Sequence, residues 1–371
     1  MRNNRPGSGR TTIRLVTPGY LTPDGSARFA HRHAGRAAQG FYRTIAAGTV
    51  SSLGLGTYLG APNEEVSARY VESILEALRQ GMNVFDTAIN YRYTRSEQDV
   101  GEALRRAFGE GLAARDEVLV ATKAGFLTAG AVPSGLHASH LAAGGAHCMT
   151  PEFLVDQVRR SRAHLGLDTI DVFYLHNPET QLQELVSNKF EDRVLAAFHQ
   201  LEKLCHDGAI RAYGAATWAG LRRKPGEPER LSLPRLVELA REAGGEDHHF
   251  RYVQLPVNLM MPEAFTYPHA LLDGEGVNVL EVAVRSGITV MASASLKQGR
   301  LAAYLPAGVR AKLEGPRTNA QCALQFARST PGVSVALAGM SDAAHVRENA
   351  GLGDFPPAPP ERWLALFEKE S

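Results

Sequence analysis

A carboxylate, a phenol, an amine and an imidazole stand in this chain where they could share the handling of one proton. Val84-Phe85-Asp86 is a short apolar run that stops on a carboxylate, and Tyr91 follows five residues later on the next loop. Val118–Lys123 ends on an amine, and Ile170–His176 ends on an imidazole. A charge at the exit of a buried strand needs a partner, because an unpaired buried charge is costly. Asp86, Tyr91, Lys123 and His176 are therefore read as one site. A free phenol has a pKa of about 10 and is a poor acid at neutrality, but an adjacent ammonium lowers the cost of phenolate. With Lys123 beside it, Tyr91 can protonate a developing alkoxide and take the proton back in reverse. Asp86 keeps Lys123 charged and fixed, and His176 is a second donor toward a carbonyl oxygen. The group suits reversible reduction of a carbonyl, with hydride supplied by something else. Singly, each residue has a blander reading: a strand-ordering ion pair, a hydrogen-bonded core histidine, a packing tyrosine. Three strand ends that agree outweigh those readings.

Such positioning calls for strands that end together. From about residue 45, short β-branched or apolar runs alternate with amphipathic stretches, the pattern of repeated βα units. Strands are expected at Leu53–Thr57, Asn83–Asp86, Val118–Lys123, Ile170–His176, Ile210–Ala215, Tyr252–Leu255, Ile288–Ala292 and Val333–Ala338. Helices are expected between and after them, with start signals at Thr150-Pro151-Glu152 and Ser341-Asp342. About eight such units make a (β/α)8 TIM barrel, whose site lies where strands run out into the following loops. Residues 46–371 are assigned to the barrel and 1–45 to an N-terminal extension, partly disordered and partly capping, with a possible edge strand at Thr12–Val16 and a short helix at Ala27–Ala38. Long loops at Gly125–Met149, Gly220–Leu233 and Leu259–Gly276 are expected on the site's face as wall and lid. Met260, Met261, Phe265 and Tyr267 either line an apolar pocket or close the barrel end.

Bulk properties narrow the function. A net charge of +1 gives no reason to expect nucleic acid or an anionic membrane as a partner. No apolar run is long enough to span a bilayer, and the basic start lacks the apolar core of a secretory signal. Three scattered cysteines suit a reducing compartment, so a cytoplasmic location is expected. His137, His140, His147 and Cys148 lack the tight spacing of a zinc site, and no metal is expected. The sequence carries no signal for an oligomeric state.

Gly54-Leu-Gly-Thr57, Phe85-Asp-Thr-Ala88 with Tyr91, Thr122-Lys123 and Leu175-His176 together resemble the aldo-keto reductase family, from about Val50 to Asn349. The resemblance implies a (β/α)8 barrel that uses NADP(H) or NAD(H) without a separate nucleotide domain, and a small-molecule carbonyl substrate. It makes Asp86, Tyr91, Lys123 and His176 the catalytic tetrad, with Tyr91 the general acid and His176 orienting the carbonyl. It assigns cofactor contacts to Gly56, Thr57, Asp86, Ala216, Thr217, Gln254, Ser293, Ser295, Leu296, Gly339, Ser341, Glu348 and Asn349. Substrate contacts fall to Tyr58, Arg92 and Phe126. Arg92 beside the acid could bind an anionic or sugar-like substrate, or be solvated or paired to Glu97. The pattern departs from the family at the nicotinamide end. Ala216 and Thr217 replace a Ser-Asn pair that holds the carboxamide, Gln254 matches a Gln with the same task, and Ser293 replaces a stacking Tyr. At the adenosine end Ser341 and Asp342 stand where a cation often meets the 2′-phosphate, which points to NADH; Lys297 or Arg300 could serve the pyrophosphate. Two other readings stay open: an altered barrel acting as a nucleotide-binding or regulatory subunit, and a non-redox acid–base enzyme such as a dehydratase or epimerase.

Overall fold

The computed structural model describes residues 16–313 and 315–367. The first ten residues lie outside the described residues, as does the expected edge strand apart from Val16. Eight strands close into one barrel: β1 (Leu53–Gly56), β2 (Val84–Asp86), β3 (Leu119–Ala124), β4 (Ile170–His176), β5 (Ile210–Ala216), β6 (Phe250–Pro256), β7 (Thr289–Ser293) and β8 (Val333–Gly339). Each is parallel to the next, and β8 returns to β1 through Gly339 opposite Gly56. Eight principal helices follow them in turn: α1 (Glu64–Arg79), α2 (Arg95–Gly109), α3 (Pro151–Leu165), α4 (Ser187–His206), α5 (Leu233–Gly244), α6 (Val279–Arg285), α7 (Asn319–Ser329) and α8 (Ala343–Ala350). The TIM barrel expected from the βα alternation is the fold.

Helix starts follow local chemistry. The Asn63 side chain accepts from the Val66 N–H at the head of α1, and Asp342 accepts from Ala344 at the head of α8. Thr150 makes no capping bond, so α3 relies on Pro151 at its first position and ends on Gly166 at φ 64°.

The bottom of the barrel is closed by parts the sequence showed less clearly. A hairpin, Tyr42–Ile45 with Gly48–Ser51, straddles the division expected after residue 45. The first helix is Pro23–Arg32, shifted from Ala27–Ala38, and a 3-10 turn follows at Ala34–Arg36. Leu21 and Val50 pack with Val84, Leu119, Val172, Met291 and Val335 in the lowest layer of the lumen. Two of the long loops carry small hairpins, Leu141–Ala142 with His147–Cys148 and Ala270–Leu272 with Glu275–Val277.

Side chains alternate in and out along a strand, so this lowest layer dictates what stands above it. Val84 inside puts Asp86 inside; Leu119 and Ala121 lead to Lys123; Val172 and Tyr174 lead to His176; Tyr252 leads to Gln254. The wall opposite is made of small residues. A Cβ on Gly54 would meet Leu337 Cδ2 at 2.7 Å, and one on Gly214 would meet the Tyr252 carbonyl oxygen at 2.0 Å. Those absent side chains leave the lumen to Tyr174 and Tyr252.

Candidate active site

Four strands thus deliver polar groups to one layer at the top of the barrel. Lys123 Nζ donates to Asp86 Oδ1 at 2.8 Å, to Oδ2 at 2.7 Å, and to the Thr87 carbonyl oxygen at 2.8 Å. The Lys123 side chain is 1% exposed. Burial pulls its amine below the usual lysine value, and Asp86 opposes that pull. Lys123 Nζ also lies 4.9 Å from the centre of the Tyr91 ring. Tyr91 meets His176 edge-on at 5.7 Å between ring centres, and Tyr58 meets Tyr91 at 5.0 Å. The four residues read as one site are brought together.

The electrostatic balance differs from the expectation in one respect. Burial holds the Tyr91 phenol well above its ordinary value, and the Asp86 carboxylate adds to the effect. Lys123 spends its charge on Asp86, so it does not create a standing phenolate. Tyr91 is a proton donor that keeps its proton until an acceptor develops beside it. Burial also holds His176 well below the usual histidine value, with Lys123 contributing. Its imidazole is therefore neutral and donates through one ring N–H. Its Nδ1 is buried without a partner.

A second histidine supports it. Arg193 donates to Gln181 Oε1, which leaves the Gln181 amide to donate to His147 Nδ1 at 2.7 Å. The His147 proton then sits on Nε2 and is given to the His176 carbonyl oxygen at 2.7 Å. Phe126 stands edge-on between the two rings, 5.0 Å from His147 and 5.1 Å from His176. A Cβ on Gly125 would meet the His176 carbonyl oxygen at 2.5 Å and His147 Nε2 at 2.6 Å, so only glycine admits this packing. The sequence singled out His147 as part of a histidine group, but its place behind His176 was not legible there.

These groups face a cleft of about 790 Å³. Asp86, Tyr91 and His176 line it, with Lys123 behind them. The expected substrate contacts Tyr58 and Phe126 line it as well. So do Gly56, Thr57, Ala216, Thr217 and Gln254 on the strand ends. Ser293, Ser295 and Leu296 follow β7 along its edge, and Gly339, Glu348 and Asn349 close its far end. Ser341 does not line it; His345, one turn into α8, does. Sequence reasoning also passed over Asn90, Asn177 and Trp218, each the immediate neighbour of a residue it named. Met260, Met261, Phe265 and Tyr267 are absent from the wall. Phe265 instead packs against Trp363 at 4.8 Å between ring centres, tying the tail to the β6 loop.

Two assigned contacts, Ser341 and Arg92, are not in the cleft wall. Arg92 does not reach the cleft. Its guanidinium pairs with Asp99 rather than Glu97, donates to Ser67 Oγ at 2.9 Å and the Ala61 carbonyl oxygen at 3.1 Å, and lies over Tyr70. Those partners, from α1, α2 and the loop that leads from β1 into α1, hold it against the barrel's flank. Gln254 lines the cleft, but its amide nitrogen donates to Asp86 Oδ1 at 2.7 Å. It is thus partly committed to the ion pair rather than free for a carboxamide.

With this geometry in place, comparison with known proteins is specific. Residues 52–223, a little under half of the chain, match the model of the Aldo/keto reductase family. That segment contains Asp86, Tyr91, Lys123 and His176. The NADH-specific methylglyoxal reductase of Escherichia coli is 31% identical over 175 residues, 45% of this chain and 48% of that protein. The NADPH-dependent D-xylose reductase of Candida boidinii is 25% identical over 207 residues, 48% of this chain and 57% of that protein. A probable voltage-gated potassium channel subunit beta of Arabidopsis thaliana is 26% identical over 187 residues, 50% of this chain and 48% of that protein. The chain spans about half the length of the curated relatives it matches. Among solved structures, the glycerol dehydrogenase of Gluconobacter oxydans has a TM-score of 0.63 at 20% identity, covering 89% of this chain and 94% of that one. An aldo/keto reductase from Klebsiella pneumoniae, in complex with NADP and acetate, has a TM-score of 0.58 at 20% identity, with 89% and 94% covered. At these identities the solved structures establish the (β/α)8 fold. Over residues 52–223 the chain is similar to the Aldo/keto reductase family, and the resemblance read from the sequence is borne out there.

Proposed function

We propose that this protein is a nicotinamide-dependent oxidoreductase that interconverts a carbonyl compound and its alcohol, with Tyr91 as general acid and base. The observation that carries the reading is one layer facing one cleft: the Asp86–Lys123 ion pair, the Tyr91 ring 4.9 Å from Lys123 Nζ, and the His176 ring 5.7 Å from that of Tyr91. The residues fit NAD(H) or NADP(H). Thr217 Oγ1 and Asn349 Oδ1 are buried without protein partners on the walls of this cleft and await donors or acceptors from a bound group. A reduced nicotinamide, when bound, supplies the hydride. The protein's own part is proton handling and orientation. The neutral His176 imidazole hydrogen-bonds the substrate oxygen and fixes its direction. Tyr91 gives its proton to that oxygen as negative charge develops. Lys123 stabilises the phenolate left behind, and Asp86, steadied by Gln254, holds Lys123 in place.

Methylglyoxal and D-xylose, the substrates named for two relatives, are both carbonyl compounds and form the first panel. The three unpaired, buried cysteines support a cytoplasmic setting. Among the described residues no helix is long and apolar enough to cross a membrane.

The test is the Tyr91→Phe variant. It should bind NADH or NADPH in a fluorescence titration much as the parent does, while kcat for reduction falls by about 10²–10⁴, the usual weight of a general acid. Full turnover by this variant would remove Tyr91 from the mechanism. A second reading, a nucleotide-binding regulatory subunit, draws on Ala216, on Ser293 and on the commitment of Gln254 to Asp86. It predicts nucleotide binding with no turnover of any carbonyl in the panel.

A further inference from the structure

The reacting end of the cleft holds no charge for an anion to pair with. Among the described residues that line it there is no lysine and no arginine. Lys123, the one cation in the tetrad, is buried and bonded to both oxygens of Asp86. Arg92, which sequence alone offered as an anion receptor, spends its guanidinium on Asp99, Ser67 and backbone carbonyls away from the cleft. His176 stays neutral through burial. What surrounds the reacting groups is aromatic and amide surface. Tyr58 and Phe126 stand 5.0 Å from Tyr91 and 5.1 Å from His176, Trp218 sits at the rim 44% exposed, and Asn90 and Asn177 complete the wall.

We infer that the site selects uncharged carbonyl compounds and discriminates against those that carry a carboxylate or phosphate. This deepens the oxidoreductase reading and rests on it. An anionic substituent entering the aromatic wall would give up hydration and find no counter-charge, whereas a neutral ring or alkyl group loses nothing comparable. Lys297 stands next in sequence to the lining residues Leu296 and Gln298. Its Nζ lies 3.1 Å from Met261 Sδ and 6.0 Å from the centre of the Trp218 ring, at the rim rather than at the reacting groups.

Three aldehydes test this with the intact protein and its preferred nicotinamide cofactor: benzaldehyde, 4-carboxybenzaldehyde and the methyl ester of the latter. The ester matches the acid in size, and the carboxylate resembles hydrogen in its electronic effect, so charge is isolated by comparison with both. The expected result is kcat/KM for the acid lower than for either neutral aldehyde by roughly tenfold or more, carried mainly by KM. Equal or better turnover of the acid would overturn the inference. Loss of that turnover in Lys297→Ala would then identify the cation that was overlooked. If none of the three is reduced, the oxidoreductase reading is what fails, and calorimetric titration of the NADH-loaded protein still decides the selectivity. Binding of the ester alone supports it, and equal binding of the acid refutes it.

Discussion

Lys123 must be charged and dry at once, and everything around it serves that requirement. Its three hydrogen bonds go to Asp86 and to the Thr87 carbonyl, and Gln254 completes the carboxylate. Asp86→Asn would keep the shape and strand the ammonium in the barrel. The expected cost is about 3–5 kcal/mol, the loss that follows when one partner of a buried pair is removed, seen as a lower urea midpoint. An unchanged midpoint would mean the pair is less buried than its geometry indicates. The Tyr91 phenol, held well above its usual value by burial and by Asp86, stays protonated through the neutral range. The reductive direction needs that proton, so kcat for reduction should be flat with pH until well into the alkaline range. The oxidative direction needs phenolate, so kcat for the alcohol should climb with pH. A reductive rate that falls with a midpoint near neutrality would assign the proton to another group.

At the scale of elements, the turn between β2 and α2 and the head of α8 matter most. Arg92, Tyr93 and Thr94 all have left-handed backbones, at φ 49°, 54° and 73°. Non-glycine residues tolerate this only when the surroundings impose it, and the Arg92 bonds to the flank are what impose it. That turn aims Tyr91 back over Lys123, so Arg92 contributes to the site as an anchor of the chain. The head of α8 bears on cofactor choice. Asp342 is used as a cap, Glu348 lines the cleft and accepts from Thr318 at 2.6 Å, and Arg347 reaches toward Glu76. No lysine or arginine among the described residues lines this end, and Glu348 does, so the extra phosphate of NADPH would find a carboxylate there rather than a cation. NADH should be preferred by about tenfold or more in kcat/KM, the scale of one charge-assisted contact. His345→Arg should narrow or reverse that ratio. A parent enzyme that prefers NADPH would show that a cation outside the cleft wall reaches the phosphate.

For the whole molecule, two buried histidines set an acid limit. His147 and His269 are each held down to about 4, mainly by burial. His269 Nε2 accepts from the Leu233 N–H at 2.9 Å, a bond that protonation destroys. Between the unfolded value near 6.5 and the folded value near 4, the unfolded chain binds more protons than the native one. Stability is therefore full above about pH 6.5 and is lost as pH falls through that window, by on the order of 3 kcal/mol for each histidine. Urea unfolding at steps from pH 7 to pH 4 checks this, and His269→Gln should flatten the slope. A stability that holds level down to pH 4 would mean these rings are solvated.

The sequence by itself determined about eight strands and the polar residues that stand at the exits of three of them. Short apolar runs alternating with amphipathic stretches mark the strands, and a polar residue at the exit of such a run must find a partner near the strand ends. Asp86, Lys123 and His176 could therefore be set together at the strand exits before any coordinates, with Tyr91 within reach, while Gln254 was offered only as a carboxamide contact by the family resemblance. Only the tertiary structure decided which partner each polar group took. Gln254 reaches Asp86 across the barrel, 168 residues away in the chain. Arg92 takes Asp99, Ser67 and Tyr70 rather than a ligand, and His147 arrives behind His176 from a loop whose small hairpin has no strong pattern. Several partners were chemically acceptable in each case, and the choice followed from distances between elements remote in sequence, which no local rule contains.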